Sequence, residues 1–203
     1  MLATHWEAVY RSRDVHTVSW YQPVPALSLE LLGSVTGPDA AIVDVGAGAS
    51  TLADHLIARG YRDLTLVDIS PAALGIVRQR LGPDAASVRF VAADLRQWQP
   101  GQRFDAWHDR AVFHFLTDPA ERAAYAAKLA GSLRPGGHAM VSAFYLDGPA
   151  KCSDLPTARY DAPGLFAALG GDEFFELVEA RRELHPHPRG GTQDFQVVLL
   201  RRR

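Results

Sequence analysis

Between about residues 26 and 145, short apolar runs alternate with segments whose apolar residues recur every three or four positions. That alternation is the signature of a parallel sheet wrapped by helices. The leucines of Ala26 to Val35 lie on one helical face, and "TGPD" closes that helix. A buried strand follows over Ala41–Val45, then a helix from about Ser50 to Arg59 with Gly60 as its stop. "DLTLVDIS" is the next strand; Pro71 suits a first helical turn, and the helix "AALGIVRQRL" runs to Gly82-Pro83. "SVRFVAADL" and "FDAWHD" are the third and fourth strands, and the alanine-rich helix "DPAERAAYAAKLAGSL" starts at a capping Asp118 before Pro119. "RPGG" stops that helix, "HAMVSAFYL" is the fifth strand, and "APGLFAALGG" is a short helix after a Gly/Pro-containing loop. Two further strand-like runs, "FFELVEARRELH" and "QDFQVVLLRRR", joined by "PHPRGGT", read as an antiparallel hairpin at the sheet edge.

Composition narrows the picture. The 203 residues, 47% of them apolar, fit one domain with a sizeable core, with no internal repeat or low-complexity linker. Basic and acidic residues, 21 and 23, are interspersed to a net charge of −2, which argues against a nucleic-acid partner. The Arg201-Arg202-Arg203 run reads as a solvated strand end. A single cysteine, Cys152, leaves no internal disulfide and fits a reducing compartment. No segment has the length of a signal peptide core or a membrane span, so a cytoplasmic location is expected.

The candidate chemistry starts at "IVDVGAGAST", residues 42–51. A Gly-x-Gly turn between a strand and a helix lets a ligand approach the backbone beside unpaired helix N–H groups. The dinucleotide fingerprint asks for a third glycine where this chain has Thr51. Asp68 follows Gly48 by 20 residues at a strand end, where a carboxylate can accept both hydroxyls of a ribose. Either adenosine cofactor, dinucleotide or S-adenosylmethionine, uses such an acid.

The order of several segments separates the two. "VDVGAGAS", "LVDIS", "AADL", "FDAWHD" and "SLRPGGHAMVSAF" resemble the successive motifs of the class I S-adenosylmethionine-dependent methyltransferases, and the resemblance covers about residues 40 to 203. It implies a Rossmann-like, doubly wound α/β fold with a seven-stranded sheet and a terminal antiparallel hairpin. A single methyltransferase domain would then comprise an N-terminal segment, residues 1–25, and a core, residues 26–203. It further implies that Gly46, Ala47 and Gly48 pass under the methionine part, with Asp44 fixing the turn. Asp68 would take the ribose hydroxyls, Ile69 would pack on the adenine, and Asp94 would meet the adenine amino group with Leu95 beside it. Each of these has a purely structural alternative: glycines close turns, and Asp94 can cap a helix.

"HWEAVYRSRDVHTVSWYQP" together with "WHDRAVFHFLTD" resembles a narrower branch of small methyltransferases that includes thiopurine-type, tellurite-resistance-type and some protein lysine methyltransferases. The resemblance implies that the aromatic N-terminal segment folds over the cofactor, bringing Trp6, Tyr10, Trp20 and Tyr21 near a sulfonium, where cation–π attraction and water exclusion act. A surface helix pinned by its aromatics is the alternative.

Ligands of open parallel sheets sit beyond the strands' carboxyl ends, which puts His108, Asp109 and Arg110 at the mouth of the site. Asp109 is a candidate to orient or deprotonate the nucleophile, and Arg110 to hold an anionic substrate or pair with Asp109. His114 lies one helical turn further on. The alternatives are an Asp109–Arg110 ion pair that fixes the loop and a packed His114 between Phe113 and Phe115. Cys152, Arg159 and Tyr160 fall in the loop region after the fifth strand, on the expected substrate side. The eight histidines are dispersed and "HPHP" lacks companion ligands, so no metal is expected. The expectation is transfer of a methyl group to a small acceptor, a thiol or a metalloid oxyanion, leaving S-adenosylhomocysteine; a lysine methyltransferase and a non-catalytic cofactor-binding module are the alternatives. Oligomeric state and accepting atom stay open.

Overall fold

The computed structural model describes residues 2–187 and 190–203. Seven strands form one sheet: β1 (Ala41–Val45), β2 (Asp63–Asp68), β3 (Val88–Ala92), β4 (Phe104–Arg110), β5 (Leu133–Phe144), β8 (Phe175–Pro186) and β9 (Thr192–Arg202). Their order is β3-β2-β1-β4-β5-β9-β8. The first five are mutually parallel; β9 inserts antiparallel beside β5, and β8 pairs antiparallel with β9 at the edge. This is the doubly wound sheet with an antiparallel end expected above. All five residues of β1 are buried, because helices cover both of its faces.

Two layers of side chains close the sheet. On one side α5 (Pro119–Ser132) and α6 (Ala162–Ala168) pack their Leu129 and Leu165 into a cluster with Val43, Trp107 and Val141 of the sheet. On the other, α2 (Ala26–Val35), α3 (Leu52–Ala58) and α4 (Pro71–Leu81) pack Leu32, Leu56 and Val77 into a cluster with Ile42 and Leu66 of the sheet. Trp107 is fully buried, and its Nε1 donates to Tyr125 Oη at 3.0 Å, so the largest core ring carries a satisfied polar handle. Asp118 caps α5 by accepting from Ala120 N and Glu121 N, as its position before Pro119 suggested.

Several boundaries differ from the sequence reading. Helix α3 starts at Leu52 because Ser50 and Thr51 belong to the glycine turn. The third strand ends at Ala92, leaving Asp94 and Leu95 in the turn beyond it. Pro135-Gly136-Gly137 does follow the end of α5, but it lies inside β5, where the register jumps from Phe104↔Leu133 to Ala106↔His138. A bulge tolerates the proline's missing N–H. The loop after β5 carries a small hairpin, β6 (Lys151–Cys152) with β7 (Leu155–Pro156), turned by Ser153 and Asp154 at positive φ. A one-turn helix α7 (Gly171–Phe174) precedes β8. Of the turn "PHPRGGT", Pro188 and Arg189 lie outside the described residues.

The N-terminal segment is α1 (Leu2–Ser12), a 3-10 turn at Val15–Thr17, and an extended strap, residues 18–25. Helix α1 packs on α4, and the strap crosses the carboxyl ends of β1 and β4. The chain order reverses there, since β1 is flanked by β2 and β4, and that switch point is where open α/β sheets bind ligands. Among the described residues, no helix is long and apolar enough to cross a membrane.

Candidate active site

The turn after β1 sets the site. Gly46 and Gly48 sit at φ +59° and +55°, in the left-handed region. A Cβ at Gly46 would lie 2.0 Å from Val112 Cγ2, and one at Gly48 would lie 2.3 Å from Tyr10 Oη. Both glycines therefore leave room for close approach from above, by the β4 loop at one and the N-terminal helix at the other.

Asp68 ends β2 beside this turn. Its Oδ2 accepts from Gly48 N at 2.8 Å and its Oδ1 from Ser70 N at 2.7 Å, with 7% of the residue exposed. Burial pushes its carboxyl up to about 6, with Asp44 and Glu7 adding to the rise and the two backbone N–H groups opposing it. Glu7 ties the N-terminal helix to the same corner. Its Oε2 accepts from Ser70 Oγ at 2.7 Å and from Ala72 N at 3.1 Å, at the first turn of α4. The Ser70 hydroxyl, that backbone N–H and Arg11 hold the Glu7 carboxyl down at about 2.

A cavity of about 370 Å³ opens over this floor, within the range of small-molecule sites, ~300–1,000 Å³. Asp68, Ile69, Asp94 and Leu95 line one end, and Trp6, Tyr10 and Trp20 roof it. Arg110, Val112 and Phe115 form the β4 side, and Cys152, Leu155 and Pro156 of the small hairpin face them. Trp6 meets Trp20 and Phe115 edge-to-face at 5.8 and 5.5 Å, so the roof is a packed aromatic unit. Burial pushes the Tyr10 phenol up and the Cys152 thiol up to about 11, which keeps both protonated near neutrality. A second cavity of about 60 Å³ adjoins the first, lined by Asp44, Ala47, Tyr21, Gln22 and His108 and sharing Tyr10, Trp20, Gly46 and Arg110 with it.

The sequence-derived residues thus divide into three groups. Gly46, Asp68, Ile69, Asp94, Leu95, Trp20 and Arg110 line the large cavity, while Asp44, Ala47 and Tyr21 line the small one. Gly48 lines neither but lies beneath Tyr10, and the Asp94 carboxylate is engaged by Arg96 at 2.6 Å. Asp109 and His114 line neither cavity and are fully buried.

Residue alternation in β4 sends neighbours to opposite faces. Asp109 turns toward α5, accepting from Val112 N at 3.0 Å, Phe113 N and Tyr125 Oη at 2.5 Å. Burial pushes its carboxyl up to about 6 against those bonds. Arg110 turns the other way, donating to Trp20 O at 2.9 Å, with its Nε 3.8 Å from Glu183 Oε2. No Asp109–Arg110 ion pair forms; Asp109 holds the loop through its backbone N–H groups instead. His108 is buried rather than at the mouth: its Nδ1 pairs with Asp44 Oδ1 at 2.7 Å and its Nε2 with Ser28 Oγ at 2.9 Å. His114 stacks on Phe144 at 4.5 Å, and burial with the Arg110 charge pulls its imidazole down to about 3, where it is neutral at physiological pH. Glu7, Val112 and Tyr125 were not singled out from sequence. Nothing local marks Glu7, and Tyr125 reads only as a core aromatic of α5.

Among the described residues, no group of three or more His, Cys, Asp or Glu side chains is placed to hold a metal ion. A glycine turn that admits close approach, an adjacent buried acid at the end of β2 and an apolar cleft at the switch point form an arrangement that can accommodate an adenosine-type cofactor.

Comparison with known proteins specifies the class. A family model described as a methyltransferase domain matches residues 42–137. Nodulation protein S of Rhizobium tropici is 32% identical over 108 residues, 53% of this chain and 44% of that protein. The eEF1A lysine and N-terminal methyltransferase of Mus musculus is 27% identical over 121 residues, 59% of this chain and 17% of its own length. The match thus spans less than half the length of these curated relatives. The solved 1,6-didemethyltoxoflavin-N1-methyltransferase of Burkholderia thailandensis, with bound 1,6-didemethyltoxoflavin and S-adenosylhomocysteine, superposes with a TM-score of 0.77 at 27% identity, over 99% of this chain and 87% of that one. The chain thus matches a methyltransferase domain over residues 42–137 and has the fold of the class I S-adenosylmethionine-dependent methyltransferases.

Proposed function

We propose that the protein transfers a methyl group from S-adenosylmethionine to a small-molecule acceptor. The observation that carries this reading is the large cavity between the glycine turn, Asp68 and the aromatic roof, at the strand ends where the fold binds ligands. The residues fit such a cofactor: Asp68 offers two carboxylate oxygens for ribose hydroxyls, Ile69 and Leu95 offer apolar surface for a purine, and Gly46 carries no side chain to obstruct the chain beyond. S-adenosylmethionine, when bound, supplies a methyl group already activated on a sulfonium, so the reaction needs no covalent protein intermediate.

The protein's own part is alignment and water exclusion. Trp6, Tyr10 and Trp20 roof the site, and Glu7 fixes that roof to α4. Asp109, satisfied by three donors and closed off from both cavities, supports the β4 loop as a positioning residue rather than abstracting a proton. His114, neutral and stacked, is a poor general base. Arg110 is the one of the three that reaches both cavities.

The relative solved with 1,6-didemethyltoxoflavin supports a small acceptor, because it aligns over nearly the whole chain. A thiol or a metalloid oxyanion falls within this small-acceptor class; a protein lysine methyltransferase and a module that binds the cofactor without turnover are the competing readings. Calorimetric titration with S-adenosylhomocysteine tests the cofactor; saturable binding is expected, and its absence refutes the reading. Radiolabelled S-adenosylmethionine added with the protein to cell extract then tests the acceptor. Label in the soluble small-molecule fraction is expected, whereas label confined to precipitated protein favours the lysine alternative.

A further inference from the structure

Seven of the ten buried side-chain nitrogen and oxygen atoms that lack a hydrogen-bond partner among the described residues come from five residues on one face of the sheet. They are Arg110 Nε and Nη2, both ring nitrogens of His114, Ser142 Oγ, Glu183 Oε2 and His185 Nδ1. Arg110 and Ser142 are partners in the β4–β5 register, and Glu183 faces Phe195 across β8–β9. Phe144 and Phe195, 4.8 Å apart, bind the group together: His114 stacks on Phe144, Arg110 lies over Phe195 at 5.4 Å, and His185 meets the Phe195 edge at 6.4 Å.

The strap covers this group. Arg110 donates to Trp20 O, His185 Nε2 pairs with Ser19 O at 2.8 Å, and Gln22 Nε2 donates to Glu183 Oε1 at 2.8 Å. Each of the three side chains thus uses one polar atom on the strap; His185 Nδ1 and Arg110 Nη2 are left without a hydrogen bond, and Arg110 Nε and Glu183 Oε2 face each other only as an ion pair 3.8 Å apart. Buried polar atoms are otherwise almost always paired, so such a concentration beside a ligand cleft calls for a polar guest. The small cavity adjoins the group through Arg110, and the large one shares that residue.

We propose that Arg110, Glu183, Ser142 and His114 form the acceptor-recognition subsite, and that it takes a flat, neutral nitrogen heterocycle with a lactam edge, a ring N–H beside a C=O. The inference rests on the methyltransferase reading. Arg110 can only donate and Glu183 can only accept, with Nε and Oε2 3.8 Å apart, so the ligand must present an acceptor and a donor side by side. A metalloid oxyanion suits Arg110 but meets the Glu183 charge, and a lysine ammonium suits Glu183 but meets Arg110. A simple thiol satisfies neither. The lactam carbonyl accepts from Arg110 while its N–H donates to Glu183, and the aromatic roof offers surface on which a flat ring can stack. Entry requires the strap to lift from Arg110, Glu183 and His185.

The test is calorimetry on the protein saturated with S-adenosylhomocysteine, titrated with 2-pyridone, uracil, hypoxanthine and lumazine, and separately with 2-mercaptoethanol, tellurite and a lysine peptide. At least one heterocycle is expected to bind, and Glu183→Gln, which places an amide N–H against the ring N–H, is expected to weaken it about tenfold or more. Ser142→Ala serves as the second variant. It is expected to weaken the same heterocycle while leaving the melting temperature unchanged or higher, because it deletes an unmatched buried hydroxyl. Binding of none of the heterocycles, or equal binding by wild type and both variants, overturns the proposal, as does tight binding of tellurite or the thiol alone. Failure of the wild type to take up S-adenosylhomocysteine refutes the underlying methyltransferase reading instead.

Discussion

Replacing Asp68 by Asn separates what this residue does for a ligand from what it costs the fold. Its carboxyl titrates at about 6 in the folded protein against an ordinary value of 3.8. The folded state therefore holds the proton more tightly than the unfolded one, and stability declines as pH rises from about 4 to about 6. A rise of this size corresponds to about 3 kcal/mol in total, of which about 2 kcal/mol falls between roughly pH 4.5 and pH 8. Asn does not titrate, so its curve lacks that decline. It also has one oxygen for the two N–H groups of Gly48 and Ser70, which costs roughly 1–3 kcal/mol at every pH. The variant should be the less stable protein in acid and near parity in mild alkali. Urea unfolding of both proteins across that range measures the difference. A stability gap that stays constant within about 0.5 kcal/mol refutes a strained, buried carboxyl at this position. In the same samples, S-adenosylhomocysteine binding by the wild type should strengthen as Asp68 ionises and should be lost in the variant; equal binding by both refutes the ribose role.

Two further substitutions probe the support of the site. Gly48→Ala puts a Cβ 2.3 Å from Tyr10 Oη at φ +55°, so it should destabilise the protein by roughly 1–3 kcal/mol and displace the roof, seen as changed tryptophan fluorescence. Adding Tyr10→Ala should recover part of the loss; no recovery removes the contact as its cause. Tyr125→Phe removes the hydroxyl that donates to Asp109 and accepts from Trp107 Nε1, and should cost about 1–3 kcal/mol in chemical denaturation. An unchanged midpoint contradicts a structural role for that network.

Much of the fold was legible because its signals are local. The leucine face of Ala26–Val35 and the apolar run Ala41–Val45 gave those elements with the bounds observed, and Asp118-Pro119 marked the start of α5. Pro135-Gly136-Gly137 was legible only as an interruption, since a helix stop and a strand bulge ask for the same residues and only the facing strand distinguishes them. The β1 turn and Asp68 were readable because one short segment contains the strand end and the bend. The grouping of Asp109, Arg110 and His114 was less so. Adjacent strand residues point apart, and what each meets comes from remote segments: Tyr125 from α5, Glu183 from β8 and Phe144 from β5. Glu7 has a partner 63 positions away, a contact that no local pattern carries.

The strap has a consequence for the newly made chain. It leaves the ribosome ahead of every strand, yet two of the side chains that hold it, Glu183 and His185, belong to β8, which can join the sheet only through β9. Throughout synthesis of the first five strands, the aromatic roof has no complete seat. A nascent chain thus exposes Trp6, Tyr10 and Trp20 as sticky surface for longer than chain order alone suggests, the stretch in which a chaperone matters most. Full closure over the cleft is reserved for molecules whose antiparallel end has already zipped in.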